Sequence, residues 1–120
     1  MPASGPLLGL CPIGKFVFSH QDAMRCKQQL QASLQQWGVR YVNLDGVIED
    51  GMVRDQAHAA PAVAHLRRCG VSGVFLPHGN FGTEGAVGVI ARDVDVPVLL
   101  WGPRDEAPQP DGTRLRAFAA

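Results

Sequence analysis

Apolar positions along the chain follow two alternating rhythms. Leu7-Leu8-Gly9-Leu10-Cys11 is an unbroken apolar run, the pattern of a strand buried on both faces. From Ala23 the apolar residues recur every three or four positions, through Cys26, Leu30, Leu34 and Trp37. That spacing places them on one stripe of a helix, with Gln28, Gln31 and Gln35 pointing outward. Ser19 followed by Asp22 resembles a capping box with Asp in the acidic role, and Gly38 supplies the stop. Tyr41-Val42-Asn43-Leu44 reads as a second strand, followed by a polar, Gly-containing stretch from Asp45 to Asp55. Pro is tolerated at the first helical position, so the next helix is expected from Pro61, with Val63, Leu66 and Cys69 inward and Gly70 ending it. Gly73-Val74-Phe75-Leu76 is a third strand. Thr83 is expected to cap a third helix carrying Val87, Ile90 and Val94, and Pro97-Val98-Leu99-Leu100-Trp101 is a fourth strand.

The order β-α-β-α-β-α-β with short connections predicts an α/β fold, a Rossmann-like or flavodoxin-like three-layer sandwich. Its parallel sheet has four strands, whereas a doubly wound domain usually has five or more, so the sheet reads as truncated at one edge. Residues 1–120 read as a single N-terminal α/β domain. Residues 1–6 form a flexible start, and residues 103–120 an irregular tail rich in turn formers: Pro103, Pro108, Pro110 and Gly112.

Composition narrows the class. The chain has 120 residues, 46% hydrophobic and 18% charged, which is a globular balance with a real core. Eleven basic residues match eleven acidic ones. Zero net charge argues against a general nucleic-acid binder or a polybasic membrane surface. No apolar run approaches the ~18 residues of a membrane span, and the start lacks the features of a secretory signal. A cytoplasmic location follows. The three cysteines, Cys11, Cys26 and Cys69, have no zinc or disulfide-scaffold spacing and read as buried thiols.

Ligands of open α/β sheets bind beyond the carboxyl ends of the strands, where the strand order reverses. With the order 2-1-3-4, that point lies between strands one and three. The loop Pro77-His78-Gly79-Asn80-Phe81-Gly82-Thr83-Glu84 brings an imidazole, an amide, an aromatic face and two glycines to a helix N-terminus. An aromatic ring beside polar donors suits a sugar; the same loop also reads as an ordinary strand-to-helix turn. Beside it, Trp101-Gly102-Pro103-Arg104-Asp105-Glu106 offers a stacking surface and an oxyanion clamp, or simply a solvated turn. The first loop supplies Phe16, Ser19 and His20 to the opposite wall, but neither GxxxxGK[ST] nor GxGxxG, which disfavours a nucleotide or flavin site. His58 and His65 read as solvated, as do Asp45, Glu49 and Asp50, with no metal-ligand constellation around them.

Two long motifs add a resemblance. Phe75-Leu76-Pro77-His78-Gly79-Asn80-Phe81-Gly82-Thr83-Glu84 is one. The other runs from Pro97 to Pro108 and continues in Asp111-Gly112-Thr113-Arg114-Leu115-Arg116. With Phe16-Val17-Phe18-Ser19 and Asp22-Ala23, they resemble the N-terminal domain of L-fucose isomerase-like proteins, in the L-fucose/L-arabinose isomerase superfamily. The resemblance runs roughly from Leu7 to Arg116. It implies an aldose–ketose isomerase acting on a sugar such as L-fucose or L-arabinose. It also implies manganese or a similar divalent metal in the full-length family, held by later domains, and a homo-oligomer in which this domain helps to close a neighbour's sugar site. In the family the chain continues into two further domains; here it reads Ala117-Phe118-Ala119-Ala120. The metal ligands and proton-transfer carboxylates therefore have no positions in these 120 residues. The expectation is a substrate-capping and oligomerisation domain, inactive alone, with no cofactor in this chain and no catalytic residue. Substrate contacts fall to His78, Asn80, Phe81, Thr83, Trp101, Arg104, Asp105, Phe16, Ser19 and His20. The rival expectation is a standalone interaction module that dimerises through its exposed sheet edge.

Overall fold

Each apolar run becomes a strand of one parallel sheet, and each period-3.6 stretch becomes a helix laid against it. The computed structural model describes residues 5–15, 19–79, 83–102, 107 and 110–112. The elements are β1 (Leu8–Leu10), α1 (His20–Gln36), β2 (Tyr41–Val42), α2 (Ala59–Cys69), β3 (Gly73–Pro77), α3 (Glu84–Asp93) and β4 (Val98–Trp101). Two short 3-10 turns, Glu49–Gly51 and Gln56–His58, lie between β2 and α2. The strands are all parallel in the order β2-β1-β3-β4, as the sequence predicts.

Side-chain alternation assigns the two faces. A Cβ on Gly9 would meet Leu66 and Val71, so Gly9, Cys11 and Ile13 point toward α2. Val74 and Leu76 of β3 join them, with Ala62, Leu66, Ala86 and Ile90 of α2 and α3, in one buried cluster. A Cβ on Gly79 would meet Ala23 of α1, which places α1 on the other face, over Leu10. Among the described residues, no helix covers that face over β4. Leu99 and Trp101, level with Phe75 and Pro77 on that face, are 61% and 38% exposed, and Leu100, level with Leu76 on the other face, is 55% exposed.

Several boundaries and burials differ from the sequence expectation. Helix α2 begins at Ala59, two residues before Pro61, because a first-turn N–H has no intrahelical partner and Pro loses nothing there. Strand β2 stops at Val42 because the Asn43 side chain bonds Gln31 and accepts from the Asp45 amide, turning the chain out of the ladder. Trp37 was expected on the inner stripe of α1 but is 71% exposed, since it is the C-cap and lies beyond the last helical turn. Lys27 is buried instead. Ser19 does cap α1, accepting from the Asp22 amide at 3.1 Å. Thr83 occupies the N-cap of α3 but makes no side-chain capping bond. Of the three thiols expected to be buried, Cys69 is only partly so.

The Gly9 position tests this packing. Its Cβ would lie 2.8 Å from Leu66 Cδ2 and 3.3 Å from Val71 Cγ1. Gly9→Ala is expected to lose about 1–3 kcal/mol by overpacking, read as a lower denaturant midpoint at unchanged slope.

Candidate functional site

The carboxyl rim of the sheet is built by a ladder that continues past the ends of the named strands. Ile13 bridges Val53 on one side and His78 on the other, both in parallel register. The Ile13 amide donates to the Pro77 carbonyl at 2.8 Å, and the Gly79 amide to the Ile13 carbonyl at 2.9 Å. On the opposite side, Val53 N–H donates to the Pro12 carbonyl and Gly14 N–H to the Val53 carbonyl, each at 2.9 Å. The polar stretch after β2 is therefore not wholly a solvated loop: its apolar pair Met52-Val53 returns to the sheet beside β1 and is fully buried.

Thr83 spans this rim. Its hydroxyl donates toward the Gly14 carbonyl at 2.8 Å, with the Arg54 carbonyl 3.2 Å away. One hydroxyl carries one proton, so the shorter contact is the principal bond. The residue expected to cap α3 thus ties the loops after β1 and β3 together. Helix α3 keeps a first turn without a side-chain cap.

His78 is half-buried, and its amide donates to the Trp101 carbonyl at 2.8 Å, binding the third and fourth strand ends to each other. Its Nδ1 lies 3.1 Å from the Leu76 carbonyl. A carbonyl only accepts, so Nδ1 carries the proton and Nε2 of the neutral ring is left as an acceptor for a hydroxyl. Trp101 stands beside Phe75, ring centroids 6.1 Å apart at 53°. Close packing sets Gly79 against α1, where a Cβ would lie 2.9 Å from Ala23 Cα. This glycine is required by a backbone approach.

Of the residues predicted for the site, the structure places His78, Thr83, Trp101, Ser19 and His20 on the rim at the carboxyl ends of β1, β3 and β4. Phe16, Asn80, Phe81, Arg104 and Asp105 lie outside the described residues. His20 is held by Asp50, Nε2 to Oδ2 at 2.8 Å; both groups are part-exposed, so the bond orients the ring more than it stabilises the fold.

Three further residues shape this region. Lys27 is 4% exposed, and its ammonium donates to Asp45 Oδ1 at 2.6 Å and to the Asp50 carbonyl at 2.7 Å. Gly51, at φ 61°, lies so near this pair that a Cβ would run into the Asp45 carboxylate. The latch pins the acidic loop to α1, so Asp45 and Asp50 are engaged, not simply solvated. Beside it is an open groove of about 350 Å³ lined by Met24, Lys27, Gln28, Gln31, Asp45 and Asp50. Arg54, nearly covered, pairs with Glu49 at 3.2 Å and contributes its carbonyl to Thr83. The apolar pair Met52-Val53 inside a polar stretch was the one sequence signal that this segment rejoins the sheet. Nothing in the spacing pointed to Lys27. His58, expected to be solvated, is half-buried, its Nδ1 accepting from the Arg54 amide at 3.0 Å.

The profile of the fucose/sulfoquinovose isomerase N-terminal domain matches residues 9–118. The chain belongs to this family, as its N-terminal domain. No curated protein and no solved structure matches it. As the fucose/sulfoquinovose isomerase family description covers nearly the whole chain, the rim belongs to the domain itself. Among the described residues, no group of three His, Cys, Asp or Glu comes together in a way that could hold a metal ion. Nor is any helix among them long and apolar enough to cross a membrane.

Two substitutions probe the region. Lys27→Met leaves the Asp50 carbonyl without its donor and frees the loop; a loss of about 1–3 kcal/mol is expected in urea unfolding. Thr83→Val keeps the shape but removes the bond to Gly14, and a loss of about 1 kcal/mol is expected in the same assay.

Proposed function

We propose that this domain forms one wall of a sugar site, and an assembly surface, in a metal-dependent aldose–ketose isomerase. The isomerisation chemistry lies on other parts of the assembly. The reading rests on one observation above the rest: the strand ends after β1, β3 and β4 are locked into a single rim by backbone bonds and by Thr83. Such a rim presents polar and aromatic groups in fixed positions, which is what holding a polyhydroxylated substrate requires. His78 offers an acceptor nitrogen, Trp101 an apolar ring face, and His20 a second imidazole oriented by Asp50. Asn80, Phe81, Arg104, Asp105 and Phe16 belong to the same proposed contact set by their positions in the sequence. These groups bind and orient; none is assigned a proton-transfer role. The substrate is a free sugar such as L-fucose or L-arabinose, with sulfoquinovose also within the family's description. Carbohydrate metabolism in the cytoplasm is the setting this reading implies, with a second copy of the chain as partner.

His78→Ala, made in an isomerase assembly that contains this domain, is expected to raise KM for the sugar by about tenfold, with kcat changed much less. An unchanged KM counts against the assignment. The 120-residue chain alone, given manganese and L-fucose, is expected to form no ketose above the uncatalysed background.

A second reading has its own support. Strand β4 is an edge strand, exposes Leu99, Leu100 and Trp101, and carries no charge that would discourage pairing. A standalone module that dimerises through this edge would show a doubled mass by light scattering and no heat on sugar titration. Sugar heat from the rim separates the first reading from it.

A further inference from the structure

We propose that the groove between α1 and the acidic loop binds a small neutral polyhydroxylated molecule, a sugar or an acyclic polyol, through the ammonium of Lys27 and the amides of Gln28 and Gln31. The groove is separate from His78, Thr83 and Trp101 on the rim, and the inference does not depend on the isomerase reading. Met24, Gln28 and Gln31 recur at spacings of four and three, so α1 supplies one wall as a single stripe. The loop supplies the other wall. Two successive left-handed residues, Asp50 at φ 57° and Gly51 at φ 61°, turn it onto the helix. The space between the walls is about 350 Å³, within the range of small-molecule sites, about 300–1,000 Å³.

Unused hydrogen-bonding capacity decides what fits there. An ammonium has three N–H donors. Lys27 uses two, on Asp45 Oδ1 and on the Asp50 carbonyl, and the third has no partner among the described residues. This side chain is nearly sealed from solvent and lines the groove. A buried ammonium with an idle donor is destabilising, and an acceptor placed in the groove removes that cost. Gln31 has its Oε1 engaged by Asn43 and keeps both Nε2 protons. Gln28 is exposed and keeps its whole amide among the described residues. Asp50 holds His20 with Oδ2, which leaves Oδ1 as an acceptor.

The lining therefore mixes donors with acceptors, and a hydroxyl is both at once. Its charges are already opposed, Lys27 by Asp45 and Asp50 by His20. An ion entering the groove finds no unopposed partner and loses more hydration than a neutral molecule does. Met24 adds an apolar surface for the C–H face of a sugar or polyol.

The test titrates the purified, isotope-labelled chain with L-fucose in one arm and D-mannitol in the other. Heteronuclear NMR follows the Lys27 Nζ resonance and the side-chain amides of Gln28 and Gln31. Saturable shifts at all three are expected in at least one arm, half-complete at about 1–20 mM, the affinity usual for about a dozen heavy atoms in an open site. Shifts with L-fucose alone support a site for cyclic sugars, with D-mannitol alone one for acyclic polyols, and with both one for either. Gln28→Ala is expected to raise the half-saturating concentration about three- to tenfold, with the circular dichroism spectrum unchanged. No saturable shift at Lys27 in either arm up to about 100 mM overturns the proposal, as does a half-saturation indifferent to Gln28→Ala. Shifts confined to His78, Thr83 and Trp101 overturn it while supporting the rim as the sugar wall, so the two readings fail separately. Sodium acetate moving the three groove signals as strongly as the sugar overturns the choice of a neutral ligand.

Discussion

Pro12-Ile13-Gly14 carries the sheet past the end of β1, flanked on both sides by backbone. Val53 bonds it from one side, and Pro77 through Gly79 from the other. The Ile13 and Gly14 amides would otherwise be buried donors without partners, an omission that costs about 1–3 kcal/mol each. The rim is consequently continuous with the sheet. Thr83 adds a side-chain tie from the start of α3 back to Gly14. Every candidate contact in the described rim inherits its position from this short stretch of ladder.

The Lys27 latch serves the same end from the α1 side. A buried ammonium is costly unless its hydrogen bonds are satisfied. It finds the Asp45 carboxylate and the Asp50 carbonyl, and Gly51 supplies the left-handed turn that lets the loop pass close by. Asp50 in turn orients His20. Through this chain of contacts α1 carries the acidic loop and one wall of the rim together. The exposed apolar edge of β4 is the other outstanding feature, because a parallel sheet is ordinarily covered on both faces.

Legibility was uneven for physical reasons. The strands at Leu8 and Gly73 announced themselves because parallel strands buried on two faces need unbroken apolar runs, and the run after Pro97 showed the same pattern although β4 is largely exposed. Ser19 announced α1 because a cap is a local bond between residues three apart. Thr83 carried the same signature and behaved otherwise, since its hydroxyl found Gly14, 69 residues away in sequence, and periodicity cannot report such a partner. Lys27 sits where any solvated helix lysine would, so its burial was invisible until Asp45 and Asp50 were brought to it.

The sequence by itself determined the alternation of strands and helices, the parallel sheet and the rim on which His78 and Trp101 stand. Those follow from hydrophobic period and from the short, right-handed connections that a parallel sheet allows. Only the tertiary structure decided that Met52–Arg54 rejoins the sheet, that Thr83 binds across the rim instead of capping its helix, and that Lys27 is buried. These depend on unsatisfied polar groups meeting partners distant in the chain, and such meetings are fixed by packing, after the local pattern has already been spent on forming the elements.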